Sequence, residues 1–297
     1  MDFNENAQLD PSQVLSGGGS GGRGGGVAIG GGLGLIIMIL GLIFGFNPSD
    51  ILGSTQTSAN SQASGSGENA YAHCTTGGAV KNDRECRWVA YVNSIQGYWT
   101  TQFPSGQYRK APTQAFSGQI NTRCGAASSE VGPFYCSADN TVYIDTAFAD
   151  QLLQQLGAQG GDAAEAYILA HEYGHHISDL TGRLAQVQQA GNQTGPTSPG
   201  VRLELQADCY AGVWFKNAQS GQDAIISGVT QDDLNRVIDA AASVGDDRIQ
   251  ESSSGRVNPE SWTHGSAKMR QYWTAVGFST GDPNKCDTFS TNNLEGN

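Results

Sequence analysis

Read as a pattern of apolar and polar positions, the chain falls into four stretches. Residues 1–26 are polar and then glycine-rich, ending in Gly17-Gly18-Gly19-Ser20-Gly21-Gly22-Arg23-Gly24-Gly25-Gly26. So little apolar surface predicts a disordered tail. Residues 27–46 form a run of 20 residues without a charge, roughly 30 Å long as a helix and enough to span a bilayer. Residues 47–70 are rich in Ser, Thr, Gln, Asn and Gly and read as a flexible linker. The periodic part of the sequence begins at residue 71 and continues to 297 as one domain.

In that domain, Trp88, Val92, Ile95 and Trp99 recur at helical spacing and predict a helix over 83–103. Short strand-like runs follow at 114–120, 131–136 and 141–144. Ala138-Asp139-Asn140 is a turn between the last two, so a hairpin is expected, and Pro133 suits an edge strand better than a central one. A helix over 146–156 is closed by Gly157. The next helix takes Asp162 as N-cap with Glu165 as a capping-box partner, and stops at Gly182. Ser198-Pro199 reads as N-cap and first residue of another helix, and Thr230 caps one over 231–244. The expected fold class is α+β: a helical core with a small antiparallel sheet, preceded by one transmembrane helix.

The 162–182 helix carries His171-Glu172-Tyr173-Gly174-His175. His171 and His175 lie four residues apart, hence on one helical face, where two imidazoles can hold one zinc ion. Glu172 follows the first ligand and can take a proton from a water on the open side of the metal. Gly174 costs a helix about 1 kcal/mol relative to Ala, which implies a close neighbour there. The helix after Ser198 supplies Glu204 and Asp208 on one face. Glu204 can be the third metal ligand, and Asp208 can accept the free ring N–H of a ligating histidine. Most neighbours of this pair are apolar, and a buried carboxylate without a partner is costly.

With these motifs the chain resembles the bacterial neutral zinc metallopeptidase family, whose members carry a glycine-rich, membrane-anchored N-terminus. More distantly it is similar to the gluzincins, in which two helical histidines and a glutamate bind zinc. The resemblance is carried by residues 125–145, 170–178, 201–215, 261–273 and Cys286-Asp287-Thr288-Phe289, and it covers roughly residues 70–290. It implies a zincin-like domain with one Zn²⁺ at His171, His175 and Glu204, Glu172 as the catalytic base, and a strand flanking the active-site helix. Tyr173 stands where a smaller aliphatic residue is usual. A peptide or protein is the implied substrate.

Ser261-Trp262-Thr263-His264-Gly265-Ser266 holds one of five histidines. Two roles for His264 stay open. It can stabilise the oxyanion or bind substrate at the mouth of the site, or it can simply precede a helix. Arg270 is a candidate support for the same pocket. His176 points about 100° round the helix from its neighbour and is assigned to packing. No strand precedes the glycine-rich Gly-x-Gly-x-x-Gly matches, which therefore form no phosphate-binding loop.

A net charge of -12 argues against nucleic acid as a partner, because phosphate binding needs a basic surface. The six cysteines include no C-x-x-C pair. Their even number fits three disulfides in an oxidising compartment, and spacing favours 74–86, 124–136 and 209–286 among the pairings that six cysteines allow. Arg23 is the sole basic residue before the apolar run, and none follows it until Lys81. This asymmetry predicts a single-pass protein with a cytoplasmic N-terminus and an extracytoplasmic catalytic domain. The rival to a membrane-anchored zinc metallopeptidase is a non-enzymatic anchored binding or assembly protein with a structural zinc site, which four protein ligands would close.

Overall fold

The computed structural model describes residues 1–17, 69–221 and 223–296. The apolar run at 27–46, the glycines from 18 to 26 and the linker up to 68 lie outside the described residues. Among the described residues, no helix is long and apolar enough to cross a membrane.

In chain order the strands and helices are β1 (Asp2–Phe3), β2 (Val14–Ser16), α1 (Ala79–Asn82), α2 (Cys86–Gln102), β3 (Thr113–Phe116), β4 (Gln119–Thr122), β5 (Gly125–Ser128), β6 (Phe134–Cys136), β7 (Thr141–Asp145), α3 (Ala149–Gln155), α4 (Asp162–Leu180), α5 (Arg183–Ala190), α6 (Pro199–Asn217), β8 (Ile226–Gly228), α7 (Gln231–Ser243), α8 (Asp246–Ser254) and α9 (Ala267–Thr280). The α+β class holds.

The sheet is not antiparallel as expected. Its order is β2-β3-β7-β6: β2 runs parallel to β3, β3 parallel to β7, and only β6 is antiparallel, at the edge. The predicted hairpin is β6–β7, with Asn140 at a φ of 57° in its turn. Parallel pairing comes from β3 with β7 and again from β2, a strand that the sequence pattern had assigned to a disordered tail. Residues 1–17 are instead part of the fold. Ala7, Leu9 and Val14 are buried, and Asn93 Nδ2 donates to the carbonyl of Asp10 at 3.1 Å. The amino nitrogen of Met1 lies 2.8 Å from Asp233 on α7. Averaging the first 26 residues had hidden this apolar spacing behind the glycines that follow it.

Helix starts show where local signals compete with packing. Ser198 Oγ accepts from Val201 N and Thr230 caps α7, as predicted; Thr230 also completes a capping box with Asp233. The capping box at Asp162 and Glu165 does not form; the N-cap is Gly161. Glu165 is buried and takes two hydrogen bonds from Arg87 of α2, at 2.6 and 2.9 Å. Asp162 pairs with Arg84.

The helical layer is held at very short range. A Cβ added to Gly174 of α4 would sit 2.8 Å from Cα and 2.9 Å from the carbonyl oxygen of Ala207 on α6. On the opposite flank of α6, Gly212 meets the carbonyl of Thr274, and Gly277 of α9 meets that of Cys209. Tyr173 anchors α4 to the sheet side: its hydroxyl donates to Ala111 O at 2.9 Å and lies 2.9 Å from Thr113 Oγ1. The three disulfides join Cys74–Cys86, Cys124–Cys136 and Cys209–Cys286, matching the spacing argument.

Gly174→Ala gains about 1 kcal/mol of helix propensity, but the methyl meets backbone that cannot rotate away, and overpacking costs roughly 1–3 kcal/mol. The expected outcome is a net loss that lowers the melting temperature by about 2–4 °C per kcal/mol, read by thermal unfolding of the metal-free protein. An unchanged or higher melting temperature contradicts the close packing.

Candidate metal centre and catalytic site

Helical periodicity puts His171 and His175 on the face of α4 that meets α6. Their Nε2 atoms lie 3.2 Å apart. From α6, Glu204 brings Oε2 to 3.2 Å from His171 Nε2 and Oε1 to 3.5 Å from His175 Nε2. A tetrahedral ion with bonds of 2.0–2.1 Å has ligand atoms roughly 3.3 Å apart, so the three side chains fit around one small divalent cation. Among the described residues, one other cluster has metal-ligand character, His73 with Cys74 and Cys86, but its thiols are joined as a disulfide.

Asp208 and Arg270 hold His171 in place. Asp208 Oδ1 lies 2.8 Å from His171 Nδ1, so this nitrogen carries a proton and, in the neutral ring, Nε2 turns its lone pair toward the ligand cluster. Tyr167 donates its hydroxyl to the same carboxylate at 2.5 Å. Arg270 of α9 grips it with two hydrogen bonds of 2.8 Å. Burial works against the charge on Asp208, yet the Arg270 guanidinium holds its pKa down at about 2. Burial also opposes charge on His171, but Asp208 and Glu204 raise its pKa to about 10. Glu204, despite burial, is held well below the carboxylate range by His175 and His264. The cluster therefore attracts positive charge, and a metal ion would take the place of the proton.

Glu172 sits beside this cluster without joining it. Burial raises its pKa above the ordinary value, and the nearby His171 and His175 pull it the other way. Its Oε2 is buried without a hydrogen-bond partner. β6 packs against α4 and is the strand expected to flank this helix.

His264 reaches the site from the loop before α9. Asp246, at the start of α8, accepts the backbone N–H groups of Thr263, His264 and Gly265 at 2.7, 2.7 and 3.0 Å. Gly265 makes that turn at a φ of +89°, where a side chain would be strained. His264 Nδ1 lies 3.0 Å from Thr263 Oγ1 and 3.6 Å from Asp246 Oδ1. Burial disfavours its charge, but Glu204 and Asp246 raise its pKa.

The cleft has two lobes that share His175, Glu204 and His264. Phe134, Leu184, Val187 and Leu203 line one; Val131, Leu152, Leu156, Ile168 and Ile249 line the other. His176 faces away, as expected: its Nε2 lies 2.7 Å from Arg109 O and its Nδ1 3.2 Å from Tyr135 OH, and burial lowers its pKa to about 4.

The sequence brought His171, Glu172, His175, Glu204, Asp208, His264 and Arg270 into consideration, and the fold gathers all seven. It did not bring forward Tyr167, although that residue is one turn before His171 on the same face. Asp246 carries no local signal, because it acts through tertiary contact.

Comparison with known proteins places this geometry in context. A family model described as "putative neutral zinc metallopeptidase" matches residues 5–289. The chain is 48% identical to the uncharacterized protein Rv2575 of Mycobacterium tuberculosis, over 74% of this chain and 76% of the relative. It is 37% identical to the uncharacterized protein YpfJ of Escherichia coli K12, over 86% of each. No solved structure matches the chain.

The geometry predicts one bound zinc per chain in the wild type. His175→Ala and Glu204→Ala should each lose it, as measured by metal analysis after dialysis. Full retention by both would rule out this centre.

Proposed function

Since the chain belongs to the neutral zinc metallopeptidase family, we propose that it hydrolyses peptide bonds at the His171–His175–Glu204 centre, with Glu172 as general base. The carrying observation is a three-ligand cluster beside a buried carboxylate oxygen that has no partner. His171, His175 and Glu204 would hold the zinc. When bound, it supplies Lewis acidity that activates a water and polarises the scissile carbonyl. Glu172 takes the water's proton at its carboxylate and delivers it to the leaving amine nitrogen. Asp208 fixes the tautomer of His171, and Arg270 and Tyr167 fix Asp208. His264, turned by Asp246, donates a hydrogen bond to negative charge that develops on the substrate oxygen.

Residues 131–136 border both lobes. An extended peptide laid along them would direct apolar side chains into the lobes on either side of the bond to be cut. A non-enzymatic protein with a structural zinc site would need a fourth protein ligand, and the cluster holds three among the described residues. Disulfide pairing of all six cysteines supports an oxidising, extracytoplasmic location for the domain.

Glu172→Gln keeps the shape of the side chain and removes its basicity. It should retain wild-type zinc while hydrolysis of a peptide library drops by about 10²–10⁴-fold. Equal rates for the variant and an active wild type would refute the mechanism. His264→Ala should also keep zinc but lower kcat by roughly 10²-fold or more with little change in KM, the pattern of a group that acts in the transition state. A change confined to KM would make His264 a substrate-binding residue instead.

A further inference from the structure

The two ends of the 18–68 segment are tied together. Asn69 Nδ2 donates to the carbonyls of Pro11 at 3.1 Å and Val14 at 2.9 Å, Ser16 Oγ donates to Asn69 Oδ1 at 3.1 Å, and Ala70 N donates to Ser16 Oγ at 2.7 Å. Just before this clamp, β2 pairs in register with β3 through Val14–Thr113, Leu15–Gln114 and Ser16–Ala115, and Val14 is fully buried. Further back, β1 pairs with β8. Residues 1–17 are therefore a built part of the peptidase body.

We propose that residues 1–17 lie on the same face of the membrane as the peptidase body. A single crossing would put Ser16 and Asn69 on opposite sides of a hydrocarbon core roughly 30 Å thick, whereas their side chains are hydrogen-bonded. Two crossings by helices need about 40 apolar residues. The segment offers one charge-free run of 20. The expected arrangement, a cytoplasmic N-terminus and a domain outside, would also strip β2 from the sheet and expose an edge of β3 whose backbone groups it pairs. The charge asymmetry around the run, a single arginine, is a small term against the loss of a strand, a clamp and several buried side chains.

Two exposed ion pairs supply the test in the full-length protein in its native membrane. Lys81 of α1 pairs with Glu5 of the N-terminal segment. Lys268 pairs with Glu295 at 3.2 Å, entirely within the body. A carbodiimide joins a carboxylate to an amine only in contact. The reagent is raised until the Lys268–Glu295 amide is found by peptide mass spectrometry, and the Glu5–Lys81 amide is then sought in the same digest. Comparable yields of both are expected, with the second lost in Lys81→Arg. Formation of Lys268–Glu295 without Glu5–Lys81 would overturn the proposal and restore the single crossing.

Discussion

The site depends on how closely three helices approach. Packed helices usually run 8–10 Å apart, a distance that leaves a glutamate on one helix with little margin to reach between two histidines on another. Here Gly174 lets the backbone of α4 touch Ala207 of α6, three residues from Glu204 and next to Asp208. On the other side of α6, Gly212 and Gly277 let α9 approach equally closely, which brings Arg270 within hydrogen-bonding distance of Asp208. The disulfide from Cys209 to Cys286 secures the same region of α6 to the chain beyond α9. Ligand, orienting carboxylate and guanidinium are thus set by one stack of helices, and the glycines that weaken each helix locally are what allow the stack.

Much of this was legible because the signals are local. Four-residue spacing placed His171 with His175 and Glu204 with Asp208 on shared faces, Ser198-Pro199 and Thr230 announced helix starts through their own side-chain chemistry, and short cysteine spacings favoured two of the three bridges. Readings failed where a distant partner outweighed local preference. Glu165 suits a capping box, but burial against Arg87 offers two charge-assisted hydrogen bonds, which are stronger than a solvated cap. The sheet looked antiparallel because its short runs stand close together, whereas β3 pairs parallel to β7 across the β4–β5 hairpin that separates them in sequence, and residues 14–16 add a further parallel strand. Asp246 carries no motif at all. Its importance appears only when the turn at 263–265 is folded onto it.

The charges around the cluster favour a divalent cation there. Glu172, Glu204, Asp208 and Asp246 are all nearly fully buried, and buried carboxylates are costly unless paired. Arg270 offsets Asp208. Asp246 is satisfied by three backbone N–H groups, and Glu204 and Asp246 together raise the pKa of His264. Glu204 and Glu172 then remain, and a doubly charged ion held between His171, His175 and Glu204 would balance both. The ion also bears on the base. Burial alone pushes the pKa of Glu172 upward, toward a protonated group that cannot accept a proton, whereas a cation nearby favours the ionised form. On this reading, the same occupant that neutralises the cluster also readies its base, so an empty centre would be both less stable and chemically idle.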